Sequence, residues 1–121
     1  MSARLAFASE ALVQPRHTIL VVDDAPLMRE LGALFLARAG RVITAANGEE
    51  AVAVARLEQP DLIVADVRMP GIDGATLCRI LKHDPLLGAP RVVLLAVTGD
   101  ADERERAVRA GADDVLPKPI D

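Results

Sequence analysis

The chain has 121 residues, a net charge of −4 and a composition that is 51% hydrophobic but only 2% aromatic. This acidic balance and the scarcity of stacking side chains argue against nucleic-acid binding, and no apolar run approaches the roughly 18 residues that a membrane span needs. Cys78 is the sole cysteine, so no internal disulfide can form, and a reducing cytoplasm is the expected location.

Apolar and amphipathic stretches alternate along the chain from residue 18 onwards. Continuous apolar runs are typical of strands buried on both faces of a parallel sheet. Five such runs predict strands at 18–22, 42–45, 62–66, 92–97 and 115–116. Helical spacing, with caps, prolines and glycines at the ends, predicts four helices, over 26–39, 48–57, 74–82 and 102–110. The strict alternation of strands and helices along the chain indicates an α/β domain with right-handed crossovers and helices on both faces of one parallel sheet.

A separate segment precedes the first strand. Residues 2–14 are alanine-rich and compatible with a helix, and Pro15 ends the segment. A frayed tail is the alternative interpretation, and the sequence does not separate the two. We therefore divide the chain into an N-terminal extension, residues 1–16, and one domain, residues 17–121.

Acidic residues directly follow two of the predicted strands. Asp23 and Asp24 come after strand one, and Asp66 ends strand three, where open α/β sheets place their ligands. If these strands are neighbours, three carboxylates converge and repel one another unless a cation joins them. Mg²⁺ suits such a set because it binds a few carboxylates and keeps several waters. Lys118 follows strand five at the same end of the sheet, and these are the components that handle a phosphoryl group.

Each of these residues also has a structural interpretation. Asp23 and Asp24 could cap the first helix and complement its dipole. Asp66 could cap a turn, and Lys118 could be a solvated loop residue. For any one residue alone, the structural role is the more common one. The presence of all four at matching strand ends favours a shared site.

Several motifs, in this order, resemble the receiver domain of response regulators, the phosphoacceptor module of two-component signalling. The matching pieces are Asp23-Asp24, Asp66 with Met69-Pro70-Gly71 and Asp73-Gly74, the stretch Ala110-Gly111-Ala112-Asp113-Asp114, and Lys118-Pro119. The resemblance covers residues 17–121 and is to single-domain, chemotaxis-regulator-like receivers. It implies a flavodoxin-like, doubly wound sheet of five parallel strands in the order 2-1-3-4-5.

The resemblance also implies roles for individual residues. Asp66 would attack a phosphohistidine on a histidine kinase or phosphotransfer protein and become an aspartyl phosphate. Mg²⁺ would be held by the side chains of Asp24 and Asp66 and by the main-chain carbonyl of Arg68, with Asp23 in support. Lys118 would pair with the phosphoryl oxygens. Such a protein signals by contact with a downstream protein target and is not an enzyme in the ordinary sense.

The chain departs from the family pattern at the positions that respond to phosphorylation. The family usually has Thr or Ser at the end of strand four, and gapless alignment places Ala96 there, which has no hydroxyl. Thr98 is the alternative switch residue, but it requires a two-residue shift on each side. Val115 stands where the family often has an aromatic residue. These departures support an alternative function: a pseudo-receiver, which is a constitutive protein-binding module without phosphate-driven switching.

Receivers normally end with a fifth helix, and this sequence stops where that helix would begin. Without it, about half of one sheet face would be bare, and each aliphatic side chain left in water would forfeit roughly 1.5–3 kcal/mol. A helix over residues 2–14 could cover this face, or the face could form a homodimer. An unknown partner and a truncated chain are the remaining explanations.

Overall fold

The computed structural model describes residues 17–118, and its elements follow the predicted order. The strands are β1 (Thr18–Val22), β2 (Arg41–Ala45), β3 (Leu62–Asp66), β4 (Arg91–Ala96) and β5 (Asp114–Pro117). The helices are α1 (Pro26–Leu36), α2 (Gly48–Glu58), α3 (Gly74–His83) and α4 (Ala101–Arg109). Each of the nine elements predicted within these residues is therefore present.

The five strands form one parallel sheet in the order β2-β1-β3-β4-β5. The neighbours β1 and β3 are in a register that sets Val22 level with Ala65. Asp23 follows Val22 and Asp66 follows Ala65, so both aspartates lie at the same edge of the sheet. The predicted flavodoxin-like strand order and the four interleaved helices are confirmed.

Aliphatic side chains cover both faces of the sheet. On one face the strands contribute Leu20, Val22, Ile63, Ala65, Val92 and Leu94 to a core that includes Ala51, Ala55, Leu77, Leu81 and Ala107 from three helices. On the other face a smaller cluster contains Ile19, Val21, Val64 and Leu95, with Leu36 of α1 packed against it. Both faces being apolar explains why the strand sequences show no polar alternation.

Several element boundaries differ from the predicted ones, and hydrogen bonds mark three of the observed ends. β4 ends at Ala96 rather than at Val97, because the Val97 amide donates to the Glu103 side chain (3.2 Å) and so leaves the strand ladder. α1 ends at Leu36, and the Ala39 amide closes a turn onto the Leu36 carbonyl at 2.9 Å. α4 begins at Ala101, because Asp100 accepts a hydrogen bond from the Glu103 amide (3.0 Å) and caps the helix.

The predictions for the chain ends lie outside the described residues. What was predicted for residues 1–16 and for the residues after 118 therefore stays a prediction. The same holds for the cover of the sheet face that would be bare without a fifth helix. Within residues 17–118, each helix is too short or too polar to cross a bilayer.

Candidate functional site

The three predicted carboxylates meet at the carboxyl ends of β1 and β3. One oxygen from each of Asp23, Asp24 and Asp66 can be chosen so that all three lie within 4.8 Å of one another. Asp23 and Asp66 are buried, whereas Asp24 is exposed. The sheet register that places β1 beside β3 is the reason that residues far apart in the sequence form one acidic cluster.

Asp23 holds the turn between β1 and α1 in place. Its Oδ1 accepts a hydrogen bond from the Ala25 amide (2.9 Å), and its main-chain carbonyl accepts one from Nη1 of Arg29 (2.9 Å). Among the described residues, no side chain caps the N-terminus of α1, whose cap position is Ala25. The interpretation of Asp23 and Asp24 as helix caps is therefore wrong, although Asp23 does stabilise the preceding turn.

Asp66 lies close to one cation and one like charge. Nζ of Lys118 is 3.4 Å from Oδ2 of Asp66. Burial raises the pKa of Asp66 from 3.8 to about 6, the charge of Asp23 contributes to the rise, and Lys118 opposes it. Asp66 is thus a carboxylate with a destabilised charge, which is typical of functional sites.

The close approach of α3 fixes the main chain around Asp66. A Cβ on Gly74 would overlap the carbonyl oxygen of Asp66 and lie 2.7 Å from the carbonyl carbon, and the Gly74 amide donates to the Val67 carbonyl at 2.8 Å. Only a residue without a side chain allows the first turn of α3 to lie this near the end of β3. The predicted Asp73-Gly74 motif therefore has a structural function beside the acidic cluster.

A cleft of about 200 Å³ opens beside the cluster, between α1 and the sheet. Its polar rim is formed by Asp23, Asp24, Asp66, Arg68 and Lys118, and its wall is apolar. All of the residues predicted for phosphoryl transfer and metal binding thus border one cleft. An apolar wall excludes water on one side and strengthens the electrostatic interactions of the rim.

The chemistry of this rim fits Mg²⁺. Three carboxylates within 4.8 Å offer the oxygen ligands that a hard cation prefers, and exposed Asp24 leaves room for metal-bound waters. A divalent cation would also relieve the repulsion between Asp23 and Asp66 that helps to raise the pKa of Asp66. Residue 68 borders the same cleft.

The predicted switch positions lie along β4, β5 and the loop between β4 and α4. Ala96 is buried at the last position of β4, and its carbonyl accepts a hydrogen bond from the Lys118 amide (2.9 Å). Thr98 is exposed in the loop that follows, and Val115 on β5 is half-buried. Ala96, Thr98 and Val115 line a second cavity, of about 220 Å³. Their part in switching stays a prediction.

Glu103 is a residue of this region that the sequence analysis missed. Its side chain is only 2% exposed, and its Oε2 accepts a hydrogen bond from Nε of Arg68 at 2.7 Å. A glutamate three residues after the cap Asp100 looks like half of a capping box, in which it would bond back to the Asp100 amide. Instead it reaches Arg68 and Val97. An i, i+3 pattern alone does not reveal this difference.

Comparison with known proteins agrees with this geometry. The sequence model of the response regulator receiver domain matches residues 19–121. The response regulator PleD of Caulobacter vibrioides is 44% identical over 104 residues, which are 85% of this chain and 23% of PleD. Protein PilH of Pseudomonas aeruginosa is 36% identical over 85% of this chain and 86% of its own length. The chain thus spans under half the length of several longer relatives, and most of PilH.

Solved structures show the same relationship. The receiver domain of a signal transduction histidine kinase from Syntrophus aciditrophicus has a TM-score of 0.77 and 40% identity, covering 87% of this chain and 80% of that one. Chemotaxis protein CheY4 of Vibrio cholerae has a TM-score of 0.78 and 28% identity, covering 87% and 88%. By sequence and by fold, the chain belongs to the response regulator receiver domain family of two-component signalling.

Proposed function

We propose that this receiver domain accepts a phosphoryl group on Asp66, with Mg²⁺, from a histidine kinase or phosphotransfer protein. The observation that carries the proposal is the position of Asp66, which lies within 4.8 Å of two other carboxylates and 3.4 Å from Lys118 at the rim of one cleft. A carboxylate that serves only the fold gains nothing from two like charges at that range.

The proposed reaction is a nucleophilic displacement at phosphorus. One oxygen of the Asp66 carboxylate bonds to phosphorus while the phosphorus–nitrogen bond of the donor phosphohistidine breaks. The electron pair stays with the leaving imidazole, which takes up a proton, and Asp66 becomes an acyl phosphate. The pKa of Asp66, about 6, leaves the carboxylate largely ionised and nucleophilic at neutral pH.

The side chains around Asp66 have complementary roles in this proposal. Asp24 and Asp66, together with the main-chain carbonyl of Arg68, would hold Mg²⁺, and Asp23 would support them through its charge. When bound, the cation would neutralise charge on the transferring phosphoryl group. Lys118 has its ammonium 3.4 Å from Asp66 and would pair with a phosphoryl oxygen there.

The proposed output is contact with a downstream protein, in the cytoplasm, where the phosphohistidine donor is formed. A phosphoryl group changes the charge and the hydrogen bonding of the site, and a protein partner can read this change at the neighbouring surface. Some relatives are transcriptional regulators of more than twice the matched length, such as the PhoB protein of Pseudomonas aeruginosa.

One observation favours a second candidate function. Ala96 ends β4 and has no hydroxyl to bond a phosphoryl oxygen, so a hydrogen bond to a charged group, worth roughly 1.5–3 kcal/mol, is forfeited there. A pseudo-receiver would keep the fold as a constitutive binding module. Phosphorylation of Asp66 that leaves partner binding unchanged would favour this second candidate.

Mass spectrometry after incubation with acetyl phosphate and Mg²⁺ tests the proposal directly. The protein should gain one phosphoryl group, and Asp66→Asn should gain none, because an amide cannot displace the leaving group. Asp84→Asn is the matched control, since Asp84 is buried to the same 8% exposure but lies outside the cleft. Labelling of Asp66→Asn equal to that of the unmodified protein would refute the assignment.

A further inference from the structure

The loop between β3 and α3, residues 67–73, is connected to α4 at both of its ends. Near its start, Nε of Arg68 donates to Glu103 at 2.7 Å, and Nη2 of Arg68 is 3.6 Å from Asp100. At its end, Asp73 caps α3 by accepting from the Thr76 amide (2.8 Å) and also pairs with Arg106. Glu103 and Arg106 are one helical turn apart, so they lie on the same face of α4.

Glu103 is the central residue of this connection. Its carboxylate is nearly fully buried, and both oxygens are used: Oε2 by Arg68 and Oε1 by the Val97 amide at 3.2 Å. A buried carboxylate that loses a charged partner is strongly destabilised, so Arg68 is held firmly. The segment that follows Asp66 and the segment that follows β4 are thereby fixed to one side chain.

We propose that Glu103 is a positioning residue for the Mg²⁺ site, acting through Arg68. This inference rests on the proposed function, in which the main-chain carbonyl of residue 68 is a metal ligand at the rim of the cleft. The side chain of Arg68 is 66% exposed and without a partner would adopt many conformations in solution, and its pairing with Glu103 removes that freedom. The main chain of residue 68 is restrained with it.

The proposed ligand is a main-chain atom, so the side chain of residue 68 can be changed without deleting the ligand. Arg68→Met combined with Glu103→Gln removes one positive and one negative charge and leaves the net charge unaltered. The amide side chain introduced by Glu103→Gln would retain an oxygen for the Val97 amide. Arg68 borders the cleft, so loss of its positive charge would by itself raise the Mg²⁺ affinity. A decrease in Mg²⁺ affinity in this double variant therefore reports the position of the loop rather than the charge of the site.

Isothermal titration with Mg²⁺ alone measures the expected effect. Loss of a residue that orients a metal ligand typically lowers metal affinity 10- to 100-fold, and we expect at least about a tenfold loss for the double variant. The Mg²⁺ concentration that gives half the maximal rate of phosphorylation by acetyl phosphate should rise by a similar factor. An unchanged half-maximal Mg²⁺ concentration would overturn the proposal.

The matched control is Glu105→Gln with Arg109→Gln. These residues form an exposed ion pair on the same helix, without a contact to the loop, and this double variant is also neutral in net charge. Its Mg²⁺ affinity should be unchanged. Arg68→Lys keeps a cation within reach of Glu103 and should restore most of the affinity. Equal affinity in Arg68→Met/Glu103→Gln and the control would overturn the positioning role.

Two further measurements distinguish a wrong positioning role from a double variant that does not fold and from a wrong metal site. If the double variant does not fold, the single variant Arg68→Met carries the test at about 1 M salt, where the Debye length is about 3 Å and the lost charge is screened; an unchanged affinity there overturns the proposal. If Asp66→Asn binds Mg²⁺ as tightly as the unmodified protein, the proposed metal site itself is wrong, and the positioning role is wrong with it.

Discussion

Two buried aspartates, Asp66 and Asp84, lie near opposite ends of α3 and differ in how far neighbouring groups compensate their negative charge. Both are 8% exposed. Asp84 accepts hydrogen bonds from Nε of Arg56 at 2.8 Å and from the Leu86 amide at 2.9 Å, and the bond from Arg56 lowers its pKa. Asp66 faces Asp23 as well as Lys118, and burial with that like charge raises its pKa to about 6.

The difference separates a carboxylate that stabilises the fold from one that is available to a ligand. Asp84 joins α2 to the end of α3, and its donors replace the water that burial removes. Asp66 has its charge only partly compensated, by a cation at 3.4 Å. Equal burial therefore does not identify a functional carboxylate, whereas the direction of its pKa shift together with its neighbours does.

The largest expected effect comes from removing the cation beside Asp66, and removal of the cation beside Asp84 is its control. Lys118→Met should slow phosphorylation by acetyl phosphate by about a hundredfold, because a charge-stabilising donor is lost from the reacting oxygens. Arg56→Met removes the cation beside Asp84 and should leave this rate within about twofold while lowering the melting temperature. Rates are measured by mass spectrometry at fixed donor and Mg²⁺. An unchanged rate in Lys118→Met would assign Lys118 to the solvated loop.

The same substitution at both aspartates should change stability in opposite directions. A pKa raised from 3.8 to about 6 destabilises the folded protein by up to about 3 kcal/mol at neutral pH, so Asp66→Asn should increase the free energy of unfolding by about 1–3 kcal/mol. Asp84→Asn should decrease it, because the charge-assisted bond to Arg56 is lost. Urea unfolding at pH 7 without Mg²⁺ measures both.

The pH dependence of the free energy of unfolding tests the direction of these two stability changes independently. With its raised pKa, Asp66 binds more protons in the folded than in the unfolded state, so its contribution is favourable at low pH and is lost as pH rises from about 4 to about 6. The advantage of Asp66→Asn should therefore disappear below pH 4. Asp84 has a lowered pKa, and its stabilisation should be lost only as pH falls below 3.8. A pH-independent difference between the variants and the unmodified protein would contradict this assignment.

Much of the fold could be predicted because each buried strand is recognisable from its own short stretch of apolar residues. The runs Leu62–Asp66 and Thr18–Val22 are largely apolar without alternation, so the strands and their parallel arrangement follow from general rules. The strand order, which brings Asp23 beside Asp66, was predicted only from the resemblance to receiver domains. The helix over Pro26–Leu36 was predictable from spacing, but not the face that it buries. Gly32 packs against Val21, while Leu27 and Leu34 are exposed.

The part of the site that could not be predicted depends on contacts between distant loops. Arg68 and Glu103 are 35 residues apart, and nothing in their local sequence shows that they pair. Asp84 follows an amphipathic helix and looks like an exposed polar residue, yet its burial depends on Arg56 of another helix. Charged side chains carry little periodic signal, so their partners become apparent only in three dimensions.

The last of these effects concerns the main chain at the Asp66 end of α3. A Cβ at residue 74 would overlap the Asp66 carbonyl oxygen and lie 2.7 Å from its carbon, and main-chain atoms cannot move aside cheaply. Alanine is otherwise favoured over glycine in a helix by about 1 kcal/mol, so the intrinsic preference opposes the clash. We expect the clash to prevail, with Gly74→Ala lowering the free energy of unfolding by about 1–3 kcal/mol.

Gly88→Ala is the control, because a Cβ there would meet no atom within 4 Å, and its effect should be within about 0.5 kcal/mol. Gly74→Ala should also slow phosphorylation, because the displaced carbonyl belongs to Asp66 itself. The environment of Asp84, which caps the far end of α3, should be unchanged, and the amide resonance of Leu86, which bonds to Asp84, reports this in a two-dimensional NMR spectrum. A stable Gly74→Ala protein with an unaltered phosphorylation rate would show that the Asp66 main chain tolerates movement, and that its carboxylate is positioned by the cleft alone.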